Sequence, residues 1–239
     1  MLPELILREE ESLNFKALIG LGLVSGLLGV WVADSFFTSQ ASIIAPLIGA
    51  VPMVFPLTEY YFEEEENPDF IAETEVYGGL FLGMVTAFFV SSLLMPEFFT
   101  TQLETTGLTG QATAQSPTFT GVLSHNMMLF VTIFGVSAIL GSAGAFILSL
   151  NASMVGVFFA NLASDLSGLE IFISNSSPLA YFPHTSLEMT GFIVAGVLGT
   201  TTSASVYREH LSWEHWKQLS KLLVVGVTAI AAGAFIETV

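Results

Sequence analysis

Runs of about 20 apolar residues recur along this chain, and few folds can accommodate them. Seven can be marked: Phe15–Ala33, Ala41–Tyr60, Val76–Met95, Met127–Leu150, Ala152–Ile173, Leu187–Val206 and Leu219–Ile236. In lipid every backbone N–H and C=O must be satisfied within the protein, so a spanning segment is a helix or part of a closed barrel. The runs are continuously apolar rather than alternating, which selects the helix. The expected fold is all-α, a polytopic transmembrane helix bundle of about seven spans. Composition points the same way. Charged residues make up 11% of the 239 residues and apolar ones 52%. A soluble domain carries about 25% charged residues.

The few charges are lopsided, with 21 acidic side chains against five basic ones and a net charge of −16. Such a surface repels nucleic acid and anionic headgroups, so no nucleic-acid partner is expected. The acids lie mostly between the apolar runs, as in Glu9–Glu11, Glu63–Glu66, Asp69, Glu73 and Glu75. An acidic, halophilic and archaeal source is the expectation, because concentrated salt screens this charge. The basic residues are Arg8, Lys16, Arg208, Lys217 and Lys221. Basic residues favour cytoplasmic loops. Seven crossings with the N-terminus inside place all five on the cytoplasmic side and the C-terminus outside. The expected location is thus the cell membrane, multi-pass. Tyr207, Trp213 and Trp216 flank two of these cations, a pattern of interface anchors, and 207–218 is read as a short helix on the inner face.

Three segments follow: an acidic cytoplasmic N-terminal segment 1–14, a transmembrane hairpin 15–61, and a bundle 75–239 with an outer loop at 99–120. Residues 1–14 carry the wrong charge for a secretory signal. The second run contains Pro46, Pro52 and Pro56, so a kinked or partly unwound span is expected. Small residues recur at four-residue spacing, as in Gly22/Gly26 and Gly79/Gly83, and imply close helix packing.

The chain has no Cys, which excludes disulfides, thiolate metal sites and Cys nucleophiles. Phosphate-binding, zinc-protease, serine-hydrolase and calcium-loop motifs are missing as well. No catalytic residue, metal site or cofactor is therefore assigned, and the chain is not read as an enzyme. The stretch YFPHTSLE, Tyr181–Glu188, is the most informative. Pro183 suits the start of the sixth helix. His184 and Glu188 are four apart and share one helical face. An acid at membrane depth needs a partner, water or a proton. His125 and Asn126, at the outer start of the fourth span, reach a similar depth. The four residues are expected to form one polar cluster, as an interhelical clamp, a proton or substrate site, or half of a metal site. Asn151 falls between the fourth and fifth spans, where it would cap or shape a tight hairpin. Asn161 lies deeper and is expected to bond another helix. Asn175-Ser176-Ser177 matches a glycosylation pattern that is common by chance.

The second half resembles the stage II sporulation protein M family. The resemblance rests on Asn126, then Gly135, Gly141 and Gly144, then Asn151, followed by Pro183, His184 and Glu188, with Gly196 and Gly199 beyond. It covers roughly residues 75–239, which makes the first two spans an addition. Ala152 and Thr185 stand where the family often has Gly. The resemblance implies a membrane component of envelope machinery that works with protein partners. Two functions follow as expectations. One is a non-catalytic scaffold or assembly subunit, partnered by lipid and by another membrane protein or a second copy. The other is a small transporter or channel using the outer His/Asn/Glu cluster.

Overall fold

The computed structural model describes residues 15–37, 40–63, 70–103, 118–164, 178–207 and 213–238. Seven long helices form a bundle: α1 Phe15–Phe36, α2 Ala41–Glu63, α3 Phe70–Leu94, α4 Phe119–Leu140, α5 Gly144–Ser164, α6 Pro178–Tyr207 and α7 Trp213–Thr238. No strand occurs among the described residues. Five helical stretches are long and apolar enough to cross a membrane. One of them, Phe119–Ser164, is two helices folded back on each other, and α2 adds the shorter apolar stretch Ala41–Val54. The chain is a membrane protein.

Close backbone approach organises the packing. Lipid supplies no hydrophobic drive between helices, so dispersion contact between well-fitted surfaces must hold them. The glycine pairs of α1 and α3 interlock. A methyl on Gly83 would strike the Ile19 carbonyl and lie 2.6 Å from the Leu23 nitrogen and 2.9 Å from the Gly22 Cα. A methyl on Gly22 would strike the Leu80 carbonyl in return. On the other side of α3, Gly156 of α5 sits against Val85 and Phe89. The helices α4 and α6 meet at Gly199, which lies against Ser137 and the Phe134 carbonyl, while Gly196 faces Leu148 and Tyr77.

The fourth and fifth spans are divided differently from the hydropathy reading. The turn lies at Gly141–Ala143, not near Asn151. Gly141 has φ 67°, a left-handed conformation that favours glycine. Gly144 comes back against Ser137 and the Ile133 carbonyl, which makes the pair a tight antiparallel hairpin. Hydropathy cannot see this turn, because Gly, Ser and Ala are as membrane-compatible as the helices they join. Asn151 lies two turns into α5 and donates to the Ile147 carbonyl at 2.9 Å. It therefore bonds its own helix rather than capping the hairpin. Asn161 is exposed, so it is not the buried interhelical contact expected of it. Pro183 is likewise interior: α6 begins at Pro178, which takes the tolerated N-terminal position instead. At the other end of the chain, Trp213 opens α7 itself and does not belong to a separate interfacial helix.

The α2 helix runs without a break from Ala41 to Glu63 despite its prolines, so the span is not unwound. Neighbours explain this. Pro46 has no N–H, so the Ser42 carbonyl loses its helical donor. In the amide orientation that satisfies both of its ends, Gln102 donates to that carbonyl at 3.2 Å and accepts from Ser153 Oγ and the Met154 N–H. Ser149 Oγ donates to the Pro46 carbonyl at 2.5 Å, and Ser142 Oγ to the Val54 carbonyl at 2.5 Å. Hydroxyls of α5 and the hairpin turn thus tie α2 to its neighbours. Ser149→Ala should lower the unfolding free energy by about 1 kcal/mol. Chemical unfolding in detergent measures it, and an unchanged midpoint would show that this bond contributes nothing.

Gln102 belongs to a segment read from sequence as outer loop. Residues 96–103 are helical, a 3-10 turn Pro96–Phe99 followed by helical residues 100–103. Phe99 is fully buried, edge-on to Phe88 with centroids 6.4 Å apart. The rest of that loop through 117 lies outside the described residues, as do segment 1–14 and Asn175.

Candidate functional site

One end of the bundle carries Lys16 near the start of α1 and Lys217 and Lys221 near the start of α7. The polar cluster lies at the opposite end. Because α4 and α6 run parallel at the Gly199 crossing, Asn126, two turns into α4, lies level with Glu188, nearly three turns into α6. There Asn126 donates from Nδ2 to Glu188 Oε1 at 2.6 Å, and both side chains are buried. A buried carboxylate without donors would cost several kcal/mol, so this bond is what lets Glu188 sit there.

The other wall is α7, which runs antiparallel to α6. Gly233 faces Glu188 and His184: a methyl on it would lie 2.7 Å from Glu188 Cγ and 3.1 Å from the His184 carbonyl. One turn on, Glu237 of α7 lies within reach of Glu188. The four-residue spacing of His184 and Glu188 is thus matched by Gly233 and Glu237. Glu237 was not singled out from the sequence. Its signal was an acid four residues after a glycine in the last turn of the last apolar helix.

The expected cluster forms in part. His184 is half-buried beside Glu188, with its ring edge-on to Tyr181 at 5.8 Å, and Tyr181 packs edge-on to Phe158 at 5.3 Å. His125 does not join. It is exposed, because one residue turns a helix by about 100° and Asn126 takes the inward position. The expectation of a four-residue site is corrected to Asn126, Glu188 and Glu237, with His184 at the edge. Pro183 is exposed. Gly141 and Gly144 form the hairpin turn, and Gly196 and Gly199 are packing contacts. No group of three or more His, Cys, Asp or Glu suited to a metal occurs among the described residues.

A second polar cluster sits toward the basic end. Glu73, read from sequence as part of a solvated acidic loop, is buried in the first turn of α3. Thr201 Oγ1 of α6 donates to its Oε2 at 3.1 Å. One turn along, the Tyr77 hydroxyl and Thr200 Oγ1 are 2.9 Å apart in a hydrogen bond. Sequence reading missed this pair because α3 begins six residues before the apolar run does, and acids in a first helical turn look like loop. The two clusters lie on opposite ends of α6, about 20 Å apart by helical rise. Phe192, Val194, Ala195 and Val197 fill the interval and are buried.

A family model for Stage II sporulation protein M matches residues 17–239. Neither the curated proteins nor the solved structures compared with the chain give a match. The matched span takes in α1 and α2, which the sequence resemblance had left outside. Their interlocked packing on α3 agrees with one continuous unit. With almost the whole sequence matched, this multi-helix membrane protein belongs to the stage II sporulation protein M family.

Proposed function

We propose that the protein is a non-catalytic scaffold or assembly subunit of envelope machinery, working in the cell membrane with another membrane protein or a second copy of itself. One observation carries this reading. The intramembrane acid that would serve a transport site is instead engaged in helix contacts, bonded to Asn126 and backed by Gly233. A buried polar group bonded across helices fixes α4 against α6, with α7 packed over it at Gly233. Transport through His184 and Glu188 would need a wet path to Glu188, which is only 9% exposed. The test is cross-linking in native membranes, followed by purification and identification of what is joined. A defined membrane-protein partner or a homo-oligomer is expected. A solitary monomer whose liposomes pass a solute, with passage stopped by Glu188→Gln, would replace scaffold with transporter.

The proposed topology has seven crossings, the N-terminus cytoplasmic and the C-terminus extracellular. The basic residues support it, and Lys217 Nζ lies 5.9 Å over the Trp213 ring, a pairing suited to a membrane interface. The chain has no Cys, so single introduced cysteines report cleanly. An impermeant reagent applied from outside should label Gln111→Cys and spare Glu64→Cys. The reverse pattern would invert the orientation.

A further inference from the structure

A cleft of about 830 Å³ opens at the end of the bundle where α1 and α3 finish and α2 begins. None of the residues of the Asn126–Glu188 cluster line it. Its polar walls are the carboxylates of Asp34, in the last turns of α1, and Glu97, with the hydroxyls of Thr100 and Thr101. Phe37 and Phe98 add two aromatic rings. Small-molecule sites run from roughly 300 to 1,000 Å³, so the volume suits a ligand of that kind.

The cleft has a fixed wall. Glu97, Phe98, Thr100 and Thr101 all lie on the segment 96–103, and that segment is anchored from beneath. Phe99 is fully buried and packs edge-on to Phe98 at 4.8 Å, while Gln102 is tied to Ser153 and the Ser42 carbonyl. Thr100 and Thr101 lie between these two anchors, and Glu97 and Phe98 directly precede the first within the same 3-10 turn. Asp34 faces them from a different helix.

The lining selects for charge type. Among the described residues it contains two carboxylates and no Lys, Arg or His. A divalent metal takes six or more oxygen ligands, mostly in a tight shell, whereas two carboxylates on opposite elements provide a diffuse negative field. Aromatic faces attract a cation that sheds water easily, such as a substituted ammonium. Apolar neighbours Ala41 and Leu94 accept the carbon body of such a molecule. We propose that this cleft binds a small organic cation, an ammonium group on an apolar body, held between Asp34 and Glu97 against Phe37 and Phe98. The site is independent of the scaffold reading.

Titration calorimetry on the full-length protein in an uncharged detergent tests it, with choline as the probe and 3,3-dimethylbutanol as its neutral isostere. Choline should bind about tenfold more tightly than the isostere, since only the charge differs between them. Asp34→Asn and Glu97→Gln should each weaken choline severalfold, and the double variant should bind both probes alike. Both side chains are exposed, so the variants should fold, and an unchanged melting temperature checks this. Phe37→Leu keeps bulk but removes a ring, and it should weaken choline without altering the isostere. No binding of choline to the wild type, equal binding of the two probes, or full choline affinity in the folded double variant would each overturn the proposal.

Discussion

Gly83→Leu should prevent the protein from folding into a single stable species in detergent. Nothing at this position can give way. The nearest groups to an added Cβ are the Ile19 carbonyl, the Leu23 nitrogen and the Gly22 Cα, all backbone of α1. A flexible side chain could rotate aside, but a helix backbone must move as a unit. Moving α1 away would also strip Gly79 from Leu18 and Phe15, and Gly26 from Ala87. Overpacking costs typically about 1–3 kcal/mol and more where backbone must shift, so a loss of 3 kcal/mol or more is expected. Gly78→Leu, five positions earlier, is the control, since nothing lies within 4 Å of its added Cβ. It should be neutral to stability. Size-exclusion profiles and thermal melts of the two variants side by side measure the difference, and equal behaviour would refute the close-packed seam.

The second large effect concerns Glu188. Replacing it with Leu leaves the buried Asn126 amide without its partner. An unsatisfied buried polar group costs about 1–3 kcal/mol. Glu188→Gln differs in kind. Its amide oxygen still accepts from Asn126, and its amide nitrogen can donate toward Glu237. The Leu variant should therefore be destabilised and the Gln variant close to wild type. Equal destabilisation would mean that the site needs a carboxyl group itself, and the clamp account would be incomplete.

Much of this architecture was legible in the sequence because lipid imposes a single rule. Long apolar runs had to be helices, and the glycine pairs of α1 and α3 had to mark close approaches. The Asn126–Glu188 contact followed from helical spacing and a shared depth. What was not legible has a common cause: hydropathy reports depth, not direction. The stretch Phe119–Ser164 is uniformly apolar, so its reversal at Gly141 left no trace in a window average. The same blindness placed Pro183 at a helix start although Pro178 holds that position. Polar residues misled in the opposite way. Glu73, Gln102 and Glu237 look like solvent residues, yet the first two are buried and the third lies within reach of Glu188, because each meets a group that sequence proximity does not reveal. For Gln102 that group is a carbonyl freed by a proline on another helix, a partner visible only once α2 and the 96–103 segment are placed together.

The Asn126–Glu188 bond acts as a structural clamp at one end of the bundle. A double-mutant cycle addresses it most directly, using Asn126→Leu, Glu188→Leu and the double variant with unfolding free energies measured in one detergent. The double variant should be more stable than the sum of the single losses implies. The expected coupling is about 1–2 kcal/mol, because removing both partners leaves fewer orphaned groups than removing either alone. Strictly additive losses would contradict it, showing that the two side chains contribute separately and do not clamp α4 to α6.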